Sequence, residues 1–528
     1  MRRSIMEHRF SEVPRVEIPR SSFDRSHKHL TTFDADLLVP ILVDDIVPGD
    51  SYSVNCQFFA RLTSPTVLPL MDNLWLDTFF FFVPYRIIWD NFPKFHGAQD
   101  DPSDSIAFTI PKLGAVSTPA AGDLADYMGF PLSVDPANTD VSALPFRAYR
   151  KIWNDWFRDQ NLQDSKSNPT DDGPDDNTES GWRDEPLKRG KRHDYFTSCL
   201  PSPQKGNAVT ASFTGEGIIA TDAATAAHIS VYSSSNSAYR QMDSDAATVD
   251  VSASAGSSSQ ELYLDADHTD STLGININDL RLAVQTQRLL ERDARSGTRY
   301  PEMVLAHYGV TVPDFRVQRP EFLGGGSTPM NITSVAQTTY QGTQTVEDAK
   351  GALSGIGTVS GQHGFTASFV EHGVLIGLAN VRADITYSQG IERYWSKQTR
   401  YDFYYPVLAQ IGEQAVLNKE IYYSDVPATD DGTFGYQERY GEMRYKQSTL
   451  SGLMRVDTAS NLDEFHLSED FASLPTLGDT FIQANTASPL DRAISVPTQP
   501  HFVADFHFKM KCARPMPLFG VPGNLDRF

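Results

Sequence analysis

Apolar residues recur at every second position in several short stretches of this chain, and that period predicts strands. From Leu37 onward, LLVPILV, SYSVNCQFF and LWLDTFFFFVPYRIIW form β-rich runs, punctuated by PGD at 48–50 and SPT at 64–66. Phe79 to Val83 show no polar alternation, so this strand is expected to be covered on both faces. VRADITYS (381–388), RYDFYYPVL (400–408) and FVADFHFKM (502–510) extend the pattern late in the chain. In the last run Phe502, Ala504, Phe506 and Phe508 share one face, and Val503, Asp505, His507 and Lys509 the other. Strands that come early and late, about three hundred residues apart, predict a β-sandwich closed by non-local pairing.

Two segments carry a helical period instead. PFRAYRKIWNDWFRDQ (145–160) opens on a proline, which the first helical turn tolerates, and lines up Phe146, Tyr149, Trp153, Trp156 and Phe157 as a core stripe. NINDLRLAVQTQRLLERDARSG, capped near Asn278 and ending at Gly297, places Arg281, Arg288, Arg292 and Arg295 on one stripe. That stripe reads equally as a solvated face or as a set of inter-subunit ion-pair candidates.

Charge adds to this picture. Across 528 residues, 45 Lys and Arg stand against 67 Asp and Glu, a net charge of −22. That excludes nucleic-acid binding by bulk positive charge and leaves only local basic segments. Residues 1–30 are such a segment: Arg2, Arg3, Arg9, Arg15, Arg20, Arg25 and Lys28 outnumber the acids, with little periodicity, so an extended basic arm is expected. Residues 164–206 read as a polar linker holding the basic cluster KRGKRH at 188–193. Residues 207–275 are rich in Ser, Ala, Thr and Asp and contain nine acids against one base, Arg240. Brief pieces such as GIIA, HISVY and ELYL predict a small β-rich excursion with little core of its own, a disordered loop being the alternative. The sandwich would then be divided between residues 31–163 and 276–528.

Chemistry is sparse. LGGGST (323–328) and GIGTVSG (355–361) lack the Lys of a phosphate loop and the strand and helix of a dinucleotide fold, so they read as turns and flexible connections. His363 and the pair Glu371 and His372 lack metal-ligand spacing, and no nucleophile elbow occurs. Cys56, Cys199 and Cys512 are too few and too scattered for a disulfide framework. No catalytic residue, cofactor or metal is expected. The N-terminus lacks the apolar stretch of a secretory signal, which leaves the sequon at Asn331 without use. The apolar run 74–89 is broken by Asp77, Pro84 and Arg86 and is shorter than the ~20 residues of a membrane anchor.

Several stretches resemble the major capsid proteins of the Microviridae, specifically their gokushovirus branch. They include IPRSSFDRSHKHLTTFDADLLVP (18–40), MDNLWLDTFFFFVPYRIIWDNF (71–92), LPFRAYRKIWNDWFRDQNLQD (144–164), RLLERDARSGTRYPE (288–302), FVEHGVLIGLANVRADITYSQG (369–390) and FGYQERYGEMRYKQS (434–448). The resemblance runs from the arm to the C-terminus. It implies a mainly β protein, an eight-stranded viral jelly roll with large loop and helix insertions, made in the host bacterial cytoplasm. Sixty copies would close a T=1 shell around a circular single-stranded DNA genome. The partners it implies are a small basic DNA-associated virion protein, an internal scaffolding protein during assembly and a host surface receptor. The segment 207–275 takes the place of the threefold protrusion. On the residues alone, the tyrosine and tryptophan content also fits a carbohydrate-binding sandwich, and a jelly-roll enzyme of the cupin kind would need a His/Glu site not found here.

Overall fold

Alternation in the last strand sets the architecture, because its buried phenylalanines need a partner sheet. The structure is a computed structural model that describes residues 19–114, 118–132, 140–175, 186–210, 218–221, 229–233, 238–244, 249–255, 262–265, 277–338 and 351–519. Its strands in chain order are β1 (Ser21–Asp24), β2 (His27–Phe33), β3 (Val39–Ile46), β4 (Ser51–Leu62) and β5 (Leu74–Pro84). A first insertion carries β6 (Ile218–Thr221), β7 (Ile229–Ser233), β8 (Ala238–Ser244), β9 (Val249–Ala255) and β10 (Leu262–Asp265). Then come β11 (Glu321–Pro329), β12 (Asn331–Ala336), β13 (Leu353–Ser368) and β14 (Gly373–Ala383). A second insertion carries β15 (Thr386–Tyr387), β16 (Glu413–Leu417), β17 (Thr433–Glu438) and β18 (Ser468–Glu469), and β19 (Phe502–Arg514) closes the chain.

Two antiparallel sheets face each other. One has the order β1, β19, β4, β13, β12, with β2 continuing the edge of β1 along β19; the other has the order β11, β5, β14, β3. With β1 and β2 counted as one interrupted strand and β12 as an addition, these are the eight strands of a jelly roll in two four-stranded sheets. Phe502, Phe506 and Phe508 of β19, Tyr52, Val54 and Phe58 of β4, and Leu76, Phe80 and Phe82 of β5 form the buried interior between the sheets.

The second sheet is covered on its outer side as well. Phe81 and Val83 of β5 and Ile376 and Leu378 of β14 pack against Phe146, Tyr149 and Ile152 of the helix Leu144–Ile152. The expected two-sided burial of Phe79–Val83 follows from this helix. The helix continues as a π turn, Trp153–Phe157, which carries the partly buried Trp156 and Phe157 onto Phe81 at ring separations of 5.5 and 5.9 Å. The outer side of the first sheet has no such cover among the described residues: Ser53, Phe59, Arg61, His507, Lys509 and Lys511 are all exposed.

The glycine clusters are strands rather than turns. Gly324–Gly326 lie in β11 and pair with β5, and Gly355–Gly361 lie in β13. A side chain on Gly325 would collide with the Thr78 carbonyl, and one on Gly361 would meet the Phe58 ring at 2.6 Å. Glycine is therefore required there by close packing, which a strand can demand as readily as a turn. RYDFYYPVL (400–408) departs from expectation in the opposite sense. It forms two 3-10 turns, Arg400–Asp402 and Pro406–Leu408, because Asp402 caps the first and Pro406 opens the second, leaving no run able to join a sheet.

The chain divides into two compact units, one of Met1–Pro203 with Ser296–Phe528, the other of Gln204–Arg295. The second unit holds the two-stranded sheet β6–β10, the three-stranded sheet β7–β8–β9 and the helix Ile277–Ser296. The expected β-rich pieces near 218, 229 and 262 are thus strands of that unit. The segment 164–206, read as a linker, is anchored in the first unit by buried Asp175, Tyr195, Phe196 and Cys199.

Truncating Phe506 to Ala should destabilise the dissociated subunit by about 3–5 kcal/mol, read from urea unfolding. Phe59→Ala, on the other face of the same sheet, should stay within about 0.5 kcal/mol. Equal effects would contradict the assignment of the two faces.

Candidate assembly surface

The second insertion, between β14 and β19, builds a platform with its own interior. Val416 of β16, Phe434 of β17, Ile421 and Phe481 bury themselves with Tyr195, Phe196 and Cys199 from the preceding insertion. The buried carboxylate of Glu420 ties it together: Oε1 accepts from Arg393 Nη1 at 2.9 Å and from the Leu417 backbone N–H at 2.9 Å, and Oε2 accepts from the Tyr195 hydroxyl at 3.0 Å. Burial pushes the Glu420 carboxyl above its ordinary range, and the Arg393 guanidinium opposes that shift.

Above this platform the chain runs in short turns that leave aromatic rings outside. Trp395 is 71 % exposed and Tyr401 67 %, with Tyr394, Phe403 and Tyr404 also exposed. The turns are held locally: the Asp402 carboxylate accepts from the Thr399 and Gln398 backbone N–H groups at 2.7 and 3.0 Å, which lowers its pKa. Cations sit against several rings, Lys397 at 5.1 Å from the Phe403 centroid and Arg439 at 5.0 Å from Tyr440. Rigid aromatics interleaved with Arg and Lys lose little entropy when covered, and they are the side chains that dominate binding energy at protein interfaces. A soluble subunit gains nothing by displaying them to water.

The basic arm is described only from residue 19, so Arg2, Arg3, Arg9 and Arg15 lie outside the described residues. The remaining three are engaged within the chain. Arg20 Nη2 donates to the Gly49 carbonyl at 2.6 Å and to Ser51 Oγ at 3.0 Å. Arg25 makes a two-pronged pair with Asp44 and donates to the Tyr52 hydroxyl at 2.9 Å. Lys28 pairs with Asp505 at 2.8 Å. Pairing with β19 explains this, since the backbone of β1 and β2 satisfies the open edge of that strand. Arg281, Arg288, Arg292 and Arg295 are all exposed along the helix Ile277–Ser296, whose one buried residue is Ala294.

One buried arrangement was not anticipated from the sequence. Arg147 and Arg150, fully enclosed on the helix Leu144–Ile152, both reach Asp175, whose Oδ1 accepts from Arg147 Nη2 at 2.6 Å and whose Oδ2 accepts from Arg147 Nε at 3.1 Å. Two arginines one turn apart among aromatics were the available signal, and only the fold reveals their acid. His363, by contrast, is a satisfied structural histidine, held between Thr78 Oγ1 at 2.7 Å and Thr328 Oγ1 at 3.1 Å.

A jelly roll whose insertions carry an open aromatic and cationic surface fits the class of structural subunits. Comparison with known proteins gives that class its family. The Capsid protein (F protein) family matches residues 11–524, and the chain belongs to it. It is 41 % identical over 547 residues to capsid protein VP1 of Bdellovibrio phage phiMH2K, covering 99 % of this chain and 98 % of the relative. It is 40 % identical over 595 residues to capsid protein VP1 of Chlamydia phage 1, covering 98 % of each. Capsid protein VP1 of Spiroplasma virus 4 is 34 % identical over 549 residues, covering 98 % of this chain and 97 % of the relative. The resemblance to gokushoviruses of the Microviridae is borne out. Membership implies a structural role, self-assembly and a place in the virion.

Because Trp395 is exposed in the subunit, Trp395→Ala should leave unfolding free energy within about 0.5 kcal/mol yet lower particle yield about tenfold or more, as loss of an interface anchor does. Sedimentation of assembly reactions checks this; an unchanged yield would remove Trp395 from the contact surface. Asp175→Asn should instead cost about 3–5 kcal/mol in subunit stability, since it removes the buried carboxylate that two enclosed guanidinium groups share and leaves Arg147 only the exposed Asp171 at 3.3 Å, as denaturant unfolding would show.

Proposed function

We propose that this chain is the repeating wall of a T=1 shell of sixty copies that encloses a circular single-stranded DNA genome. The observation that carries the reading is the open aromatic and cationic surface from Tyr394 to Tyr404 on a protein of the capsid family. Closed symmetry multiplies each modest contact, so a subunit needs several such patches and a rigid body to hold them at fixed angles. The eight-stranded sandwich supplies the rigid body, and the second insertion supplies the patches.

Packaging sets an electrostatic condition. Subunits of net charge −22 repel a polyanion unless cations face inward or a separate basic protein neutralises the genome. The reading uses both. Arg2, Arg3, Arg9 and Arg15 of the arm contact phosphates without base specificity, and a small basic DNA-associated virion protein supplies the remaining charge, with an internal scaffolding protein guiding closure. Arg20, Arg25 and Lys28 serve mainly to fasten the arm to the sheet, since their partners lie within the subunit. The acidic segment 207–275 faces outward for attachment to a host surface receptor, because a phosphate-facing position would set its nine acids against the genome.

Production of the chain together with its virion partners, followed by negative-stain microscopy and nuclease treatment, tests the reading. The expected outcome is uniform isometric particles holding nuclease-protected circular single-stranded DNA. A chain that stays monomeric beside its partners would overturn it. In particles with Arg2, Arg3, Arg9 and Arg15 changed to Gln, DNA content should fall several-fold while particle diameter holds. Particles lacking 207–275 should assemble but adsorb to host cells at least about tenfold less well.

A further inference from the structure

The first sheet is closed by the sandwich on one side only, and the composition of its other side differs from that of the chain. The strand registers place its outward residues in rows. Lys28, His507, Gln57 and Gln362 form one row across β2, β19, β4 and β13. Leu30, Asp505, Phe59 and Ser360 form the next, and Thr32, Val503, Arg61 and Thr358 the one beyond it. Toward the other end of β19 lie Lys509 beside Asn55, then Asp24, Lys511, Ser53 and Thr366. Rows of outward residues along a strand are about 6.8 Å apart, which spaces the side chains of this face regularly.

Its charge runs against that of the whole molecule. Lys28, Arg61, Lys509 and Lys511 face out, with Asp24 and Asp505 as the acids among them. Asp505 is taken up by Lys28 at 2.8 Å and Asp24 by hydrogen bonds from the Ser26 backbone N–H and hydroxyl, with Lys511 opposite it in register and weakly attracting it. Arg61, Lys509 and Lys511 make no ion pair within 4.0 Å among the described residues. In a chain of net charge −22, a cation-bearing sheet face with amides and hydroxyls between its cations is an electrostatic exception. It also displays apolar and aromatic surface where a solvated strand would carry polar groups: Phe59 is 50 % exposed and Leu30 66 %, and His507 is exposed in the neighbouring row.

We infer that this uncovered sheet face binds single-stranded nucleic acid, with Arg61, Lys509 and Lys511 on phosphates and with bases stacked on Phe59 and His507. The inference rests on the reading of the chain as the wall of a DNA-containing particle and assigns that wall its inner side. Cations spaced along an open surface, with aromatic rings between them, bind an unpaired strand regardless of sequence, because every base has a face to stack. Gln57, Gln362 and Asn55 offer both donors and acceptors to sugars and base edges without selecting one base. The arm joins the edge of this same sheet through β1.

Intact particles irradiated with ultraviolet light, digested and mapped by mass spectrometry test the placement on the native chain. Nucleotide adducts are expected on peptides spanning 55–61 and 503–511. Particles that contain DNA but carry adducts only on other segments would overturn the sheet face and leave the capsid reading standing; absence of particles would take both. A triple variant, Arg61→Gln, Lys509→Gln and Lys511→Gln, provides a second readout. Losing three phosphate contacts lowers the log–log salt slope of single-strand binding by about 2, so the variant particles should release DNA at markedly lower salt at unchanged diameter. Unchanged release would reject the phosphate contacts, and if the variant forms no particles the adduct map on the native chain decides.

Discussion

The insertion of β19 between the edge strand β1/β2 and β4 is the constraint on which the molecule depends. Phe502 pairs with both Phe33 and Leu62, and Phe508 with His27 and Cys56, so residues more than four hundred positions apart must meet before the first sheet exists. Loop-closure entropy grows only slowly with length, which is why insertions of this size between β5 and β11, and between β14 and β19, are tolerated. The β19 phenylalanines then bury against β4 and the facing sheet, and that burial offsets the closure cost. Both ends of the chain are committed to the same sheet, and what they frame can vary.

Buried charge fastens the insertions to this frame. Asp77 of β5 meets Arg189 from the segment after the helix Leu144–Ile152 and Arg382 of β14. Lys191 and Glu469, both nearly enclosed, pair at 2.7 Å and join segments from the two insertions. Asp175 holds Arg147 and Arg150 in the same way. Such pairs contribute little net stability compared with apolar side chains, but removing one partner is costly, so they penalise any alternative docking of the insertions. A shell that closes by symmetry needs subunits of one shape, and paired buried charges enforce one shape more strictly than apolar packing alone. Arg393 is likewise turned inward to Glu420, beneath the exposed rings of Tyr394, Trp395 and Tyr401.

The amino-acid order alone determined β3, β4, β5 and β19 of the frame, the two helices and the polarity of β19, because each depends on a local period that neighbours in sequence impose. It also determined the acidic character of 207–275 and the family, through stretches spread along the whole chain. Where local chemistry allows two outcomes, tertiary structure decided. Gly324–Gly326 and Gly355–Gly361 became strands because Thr78 and Phe58 leave no room for side chains, which no spacing of glycines discloses. Arg400–Leu408 became turns although its composition favours a strand, because Asp402 caps one turn and Pro406 opens the next. Arg25 and Lys28 were drawn into the sheet by Asp44 and Asp505, acids that lie 19 and 477 residues away. Periodicity records which side of an element is apolar; which groups meet across space is a matter of pairing between distant segments, and that information exists only in the folded chain.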